Sequence, residues 1–381
     1  MAAQDSPQLK VERRLFKDYF DQTAAERMAH QVGSAWKEFD IPRFVELATT
    51  DLGRLEFHGR IHQFSKALKA CLPESTPRAL SILTESLPPA LPNAEAITDG
   101  WLQWPVGHFI ADNGLPHFEE AMEAMIELTQ RFSAEFAVRP FLESYPTKTL
   151  TRLLGLTAHP SVHVRRWCSE GCRPRLPWGK TLQSFIQDPT PLWPILEALK
   201  ADPERYVQRS VANHLNDIAK DHPDLLLKKF RAWTKDGLSK DSFVIQHGLR
   251  SLVKAGHSEI LHFLGFGDCP NVAGELSLTP KTVSVGDSVQ LILVLRNEGK
   301  SSATLLIDYG VSYVRQRGRS GTKVFKWTKR TLRAGEVIEI RKMHSMRATT
   351  VRALYEGEHK VAAQINGRIL AETSFRLRTA R

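Results

Sequence analysis

The hydrophobic pattern of this chain changes period once, near residue 270, and that change restricts the fold to two unlike parts. Before it, apolar residues recur every three to four positions. Phe118, Met122, Met125, Ile126, Phe132 and Phe136 fall on one helical stripe, and residues 134–141 read as the end of the helix that begins near Phe118. Short breaks at 87–93, 113–116 and 159–160 carry Pro or Gly. After residue 270, β-favouring residues alternate, and Gly or Asn punctuates at short intervals. Strands are suggested over 276–287, 288–299, 303–314, 323–332, 337–343, 357–365 and 368–378. About seven strands in roughly a hundred residues fit an immunoglobulin-like sandwich.

The helical part contains two segments that look like copies. Residues 159–166 match 202–209, with Pro160 on Pro203, Val164 on Val207 and Arg166 on Arg209, an offset of 43. That period belongs to HEAT or armadillo repeats. Each copy reads as a cap-like residue, a proline at the first turn and an amphipathic helix. The expected architecture is therefore an all-α HEAT-like helical solenoid over 1–268, followed by an all-β immunoglobulin-like domain over 269–381. Solenoids of this kind present a concave surface to an elongated partner.

Charge divides along the same line. Residues 271–381 hold 20 Lys and Arg against 9 Asp and Glu, a net +11, while the first 270 hold 32 against 33. A basic module beside a neutral one predicts a polyanionic partner, nucleic acid before an anionic membrane; the alternative is a basic domain with no polyanion at all. No apolar run is long enough to span a bilayer, and the first residues lack the basic and apolar regions of a signal peptide. Four cysteines do not make a disulfide scaffold. A cytoplasmic protein is expected.

No Walker loop, dinucleotide fingerprint, His-Glu-x-x-His helix or nucleophile elbow is present. Cys168 and Cys172 lie four apart on one helix with no second pair at ligand spacing, which reads as core packing. One region is dense in functional types. Between 164 and 180 stand Arg165, Arg166, Arg173, Arg175 and Lys180, a single acid, Glu170, and Trp178 on a Pro-Trp-Gly loop. Cations interleaved with an aromatic suit phosphates and a base. Glu170 could equally be a salt-bridge partner of Arg166 one turn earlier, and Trp178 could pack in the core. Glu135 borders an apolar stripe, so it is either paired, with Arg139 a candidate, or faces a cleft. Asn213, His214 and Asp217 form a polar ridge beside the stripe Val207, Val211, Leu215 and Ile218. Asp217 is unfavourable inside a helix, which a functional role or a salt bridge would explain. Trp101, Trp104 and His108 could form a wedge or pack between helices.

Residues 134–141, 164–179 and 207–219 resemble matching segments of the AlkC/AlkD family of DNA glycosylases. The most specific part is Arg165-Arg166-Trp167-Cys168-Ser169-Glu170-Gly171-x-Arg173-Pro174-Arg175-Leu176-Pro177-Trp178. The resemblance to the AlkC branch covers most of 8–265, and one AlkC subgroup has a C-terminal immunoglobulin-like domain. The resemblance implies a concave basic groove for double-stranded DNA and removal of cationic alkylated purines, 3-methyladenine above all, without base flipping. It implies Glu135, Glu170, Trp178 and Asp217 as the catalytic group, with Glu170 and Asp217 beside the sugar. Arg166 and neighbouring cations, Arg165, Arg173, Arg175, Lys180 and the repeat counterpart Arg209, would hold the backbone. In the basic module, Arg317, Arg319 and Lys326, in a cluster with Arg315, Lys323, Lys329 and Arg330, would add phosphate contacts. No metal or organic cofactor is implied, and a monomer is expected. The rival readings are a protein-binding scaffold and a lesion-binding protein that does not cleave.

Overall fold

The computed structural model describes residues 15–315, 320–348 and 353–378. The chain divides into two compact units, residues 1–221 and 222–381.

The first unit is helical. Its elements are α1 (Gln22–Ala35), α2 (Ile41–Thr49), α3 (Phe57–Cys71), α4 (Thr76–Glu85), α5 (Trp104–Asn113), α6 (Phe118–Thr129), α7 (Arg139–Ser144), α8 (Pro146–Gly155), α9 (Val162–Glu170), α10 (Gln183–Gln187), α11 (Trp193–Leu199) and α12 (Arg205–Ile218). Asp21 and Asp40 start α1 and α2 by accepting from the backbone N–H groups of Ala24 and Arg43, which satisfies donors the helix itself cannot. Packing runs between helices close in sequence: α1 on α2, α2 on α3, α3 on α5, α4 on α6, and α9 on α12. This nearest-neighbour pattern is that of a helical solenoid.

The two repeat copies are α9 and α12, and they pack on each other. Their caps are Ser161 and Glu204, so Pro160 and Pro203 precede the caps and do not occupy the first turn. On α12 the stripe Val207, Val211, Leu215 and Ile218 is buried as its spacing predicts, but so are His214 and Asp217. The expected ridge faces α9: the Ser169 carbonyl accepts from His214 Nδ1 at 3.0 Å.

The helix that begins at Phe118 ends at Thr129, short of residues 134–141. A loop over 130–138 follows, and Arg139 opens a new helix. The loop is fixed from outside: Leu91 N–H donates to the Gln130 carbonyl (2.9 Å), and Arg131 Nε donates to the Pro88 carbonyl (2.9 Å). A Cβ at Gly100 would stand 1.7 Å from the Arg131 carbonyl oxygen, so this approach requires glycine. Glu135 is therefore a loop residue, because tertiary hydrogen bonds override the helical periodicity around it.

The second unit opens with α13 (Pro223–Lys235), α14 (Phe243–Gly248), α15 (Arg250–Ala255) and α16 (Ser258–Phe263). Eight strands follow among the described residues: β1 (Val272–Thr279), β2 (Thr282–Ser284), β3 (Ser288–Asn297), β4 (Ala303–Val314), β5 (Ser320–Leu332), β6 (Val337–Ser345), β7 (Gly357–Ile365) and β8 (Arg368–Arg378). They form a three-stranded sheet, β1-β3-β6, and a five-stranded sheet, β2-β8-β7-β4-β5. Alternate residues of β3 (Val289, Leu291, Leu293, Leu295) are buried against Tyr309, Val311, Ile307 and Val361 of the other sheet, which makes the sandwich core. Leu261 and Phe266 share a smaller core with Leu306 of β4, so the last helices and the sheets fold as one body.

Candidate active site

Trp178 stands on the loop between α9 and α10. The loop is closed by Gly179 N–H donating to the Leu176 carbonyl (3.1 Å) and Leu182 N–H to the Pro174 carbonyl (3.1 Å). The residue is held at φ +63°, a left-handed conformation that costs a side chain of this size roughly 1–2 kcal/mol. Its indole is 71% exposed, which overturns a core role. It edges onto Phe57 (6.2 Å between centroids) and lies near parallel to Trp104 (6.4 Å, 24°), which itself stacks on Phe136 (5.2 Å, 9°). Trp178, Trp104 and Phe136 wall a cleft of about 440 Å³, closed further by Phe16, Trp101 and Phe132.

Charged groups line one part of this cleft: Glu135, Arg166 and Glu170. Arg166 Nη1 meets Glu135 Oε2 at 2.5 Å, and its Nη2 lies 3.7 Å from Glu170 Oε1. Ser133 Oγ donates to Glu135 at 2.8 Å and accepts from Arg166 at 3.0 Å. Arg166 also lies over the Tyr206 ring, 5.4 Å from its centroid. Behind them, Arg173 Nη1 reaches Glu170 Oε1 at 2.6 Å, while its Nε and Nη2 reach Asp217 Oδ2 at 3.0 and 2.9 Å. Lys220 closes the chain on Asp217 Oδ1 at 3.3 Å. The result is a relay of alternating sign, Glu135–Arg166–Glu170–Arg173–Asp217–Lys220.

Burial opposes the charge on Glu170, but the Arg166 and Arg173 guanidiniums more than reverse it and hold its carboxyl below the usual glutamate range. Burial likewise opposes the Arg166 charge, and Glu135 and Glu170 outweigh it, raising that pKa. His214 has burial and then the Arg173 charge against it, and its imidazole is pushed down to about 3. Glu170 and Arg166 stay charged where isolated ions would be expelled, because each has an opposite neighbour.

The sequence-derived candidates separate by position. Glu135, Glu170, Trp178 and Arg166 meet in the cleft. Asp217, 3% exposed, does not line it; it is locked behind Arg173, so the geometry does not place it beside a substrate sugar. Arg173 is buried between two carboxylates. Arg165 is engaged by Asp202 (2.7 Å) and by the carbonyls of His159 and Pro160 (3.0 Å each). Arg175 pairs with Asp221 at 2.9 Å and Lys180 with Glu143 at 2.8 Å. Arg209 is exposed. Lys326 is exposed on β5, while Arg317 and Arg319 lie outside the described residues. Arg139 is not the partner of Glu135: it is buried and donates to the carbonyls of Gly171 and Arg173 (3.0 Å each) and Lys180, with its pKa lowered by desolvation to about 10. Cys168 and Cys172 are wholly buried, and burial raises the Cys172 thiol to about 12.

The cleft wall of Trp101, Trp104 and Phe136 is the part that sequence reasoning left open. Its signal was the pair of tryptophans three residues apart ahead of Pro105, which places both on one side of a helical turn.

Fold and site together define a helical-repeat protein with a charged, aromatic-walled cleft and an immunoglobulin-like module. Residues 272–379 match the family model described as the C-terminal Ig-like domain of uncharacterised protein YhaZ. The uncharacterized protein YhaZ of Bacillus subtilis (strain 168) is 32% identical over 363 residues, 95% of this chain and 99% of that protein. The structure of Pseudomonas fluorescens alkylpurine DNA glycosylase AlkC, bound to DNA containing an abasic site analog, superposes with a TM-score of 0.86 at 32% identity, covering 96% of this chain and all of that one. The chain belongs to the AlkC/AlkD family, in the AlkC branch that carries a C-terminal immunoglobulin-like domain.

Proposed function

We propose that the protein is a DNA glycosylase that hydrolyses the bond between an alkylated purine and its deoxyribose, with 3-methyladenine as its preferred lesion. The observation that carries this reading is the cleft in which Glu135 and Glu170, bridged by Arg166, lie under the exposed Trp178. N3-alkylation makes the purine a cation and hence a good leaving group, so the enzyme need not protonate it. As the bond breaks, positive charge moves to the sugar. The cleft presents two carboxylates and one guanidinium, a net negative lining that stabilises that charge more in the transition state than in the ground state. Because the arginines hold its carboxyl below the usual glutamate range, Glu170 is ionised at neutral pH, the form that stabilises a cation and orients the attacking water.

The exposed indole of Trp178, backed by the buried Trp104, attracts a cationic base or sugar. The strained backbone at Trp178 fits a ring held outward against its local preference for use on a ligand. Asp217 acts indirectly, by fixing the Arg173 that fixes Glu170. The lesion is read from the sugar and backbone side, with the base left in or near the stack. The exposed cations of β5 supply phosphate contacts, as Arg209 does in the helical unit.

The test is incubation with randomly methylated duplex DNA and chromatography of the released bases. Release of 3-methyladenine, leaving abasic sites and intact strands, is expected. Binding to methylated duplex with no base released would replace this reading with that of a lesion-binding protein.

A further inference from the structure

Helices α3 and α5 carry a group of ligand-type side chains that the glycosylase reading does not use. His62 on α3 faces His108 and Asp112 on α5, and one donor atom from each lies within 4.8 Å of the others. Each helix presents a polar pair one turn apart, His58 and His62 on α3, His108 and Asp112 on α5, so the pairs meet where the two helices pack. His62 Nδ1 lies 3.8 Å from Asp112 Oδ2, and the His62 and His108 rings are 6.1 Å apart, tilted edge to face.

The geometry points to a binding site for a divalent transition ion of the zinc type, with His62, His108 and Asp112 as its ligands. Imidazole nitrogens and a carboxylate at about 2.0–2.2 Å from one ion stand roughly 3–4 Å from each other, which the 3.8 Å pair already satisfies and the third ligand reaches by a small side-chain rotation. Two imidazoles and one carboxylate on rigid helices are the donor set of borderline ions; hard Mg²⁺ and Ca²⁺ prefer oxygen alone. Three protein ligands leave a fourth position for water or for His58. A simple ion pair between His62 and Asp112 leaves the adjacent His108 unexplained.

The site has a mechanical consequence. Trp104, the first residue of α5, touches the His58 ring (6.2 Å) and walls the cleft. A second cavity, of about 190 Å³, shares that indole with the cleft and is also lined by His58, His108, Glu143 and Lys180. An ion joining α3 to α5 would therefore brace the helix that holds the cleft wall.

The experiment uses the full chain without a polyhistidine tag, stripped with chelator and titrated with Zn²⁺ by calorimetry, with thermal unfolding in parallel. One equivalent of micromolar or tighter affinity is expected, with a rise in Tm and no response to Mg²⁺. Cobalt substitution should give visible absorption bands. His62→Asn, His108→Asn and Asp112→Asn should each lose the equivalent and the Tm rise while unfolding as the wild type does without metal; Asp112→Glu should keep binding. Absence of a zinc equivalent in the wild type, or its retention in all three variants, would overturn the site.

Discussion

The two units use their cations in opposite ways. In the helical unit, the five cations of the dense segment 164–180 each have a carboxylate partner: Asp202, Glu135 with Glu170, Glu170 with Asp217, Asp221, and Glu143. In the second unit, Lys323, Lys326, Lys329 and Arg330 of β5 are exposed on an edge strand, and none makes an ion pair among the described residues. The first set is framework and the second is field. Arginines inside the solenoid fix the carboxylates of the cleft, where the proposed chemistry would make a misplacement of an ångström costly. Lysines on a sheet edge repel a second sheet edge and offer charge to a polyanion without needing a fixed geometry. A cluster of basic residues in a sequence therefore does not by itself mark the phosphate contact; what matters is whether acids return to it through the fold.

The sharpest way to break this contrast is Arg173→Ala. Removing a buried cation that serves two carboxylates should cost about 3–5 kcal/mol in urea unfolding. The same truncation at Lys180, largely exposed and paired only with Glu143, should cost no more than about 1 kcal/mol. Equal losses would mean that depth does not separate framework from surface pairs.

Neutralising Lys323, Lys326, Lys329 and Arg330 together to alanine should leave stability within about 0.5 kcal/mol of the wild type. It should nevertheless lower the log–log salt dependence of DNA binding by about 0.9 for each phosphate that the protein no longer neutralises. An unchanged slope would move the DNA footprint off β5. These substitutions are a cleaner probe than deletion from residue 271, which would strip the cover from Leu261 and Phe266.

A smaller effect sharpens the electrostatic part. His214 is neutral in the native protein down to about pH 3, whereas unfolded histidine takes a proton near pH 6.5. Between those values stability falls as pH falls, by up to about 1.4 kcal/mol per pH unit. Urea midpoints at pH 7 and pH 5 should converge in His214→Asn, whose amide can still donate to Ser169. An unaltered pH dependence would show that another group carries it.

The sequence made some of this legible and hid the rest for a definable reason. The change of period near residue 270 announced the helical and β parts, and Pro-Trp-Gly announced the loop of Trp178. Much of the pairing of the basic segment was hidden because the partners are distant: Arg165 to Asp202 spans 37 residues, Arg173 to Asp217 spans 44, and Arg175 to Asp221 spans 46. Those separations bracket the repeat length of 43, since stacking one repeat on the next puts such residues side by side. The weak match of 159–166 with 202–209 thus held the only advance notice of the pairing. Glu135 was misassigned to a helix because the stripe through Phe132 and Phe136 continues the period of α6, while the contacts that break the helix come from residues 88–91 and 100. The burial of Asp217 was hidden for a related reason: both faces of α12 are covered, and a stripe reports only one.

In the proposed reaction the Glu135–Arg166–Glu170 floor of the cleft carries the chemistry. The decisive comparison is single-turnover release of 3-methyladenine from a duplex with one lesion, measured for the wild type and for Glu170→Gln at equal thermal stability. The variant should be slower by about 10²–10³ with DNA affinity nearly unchanged. A rate within a few-fold of the wild type would contradict it and reduce Glu170 to a structural partner of its two arginines.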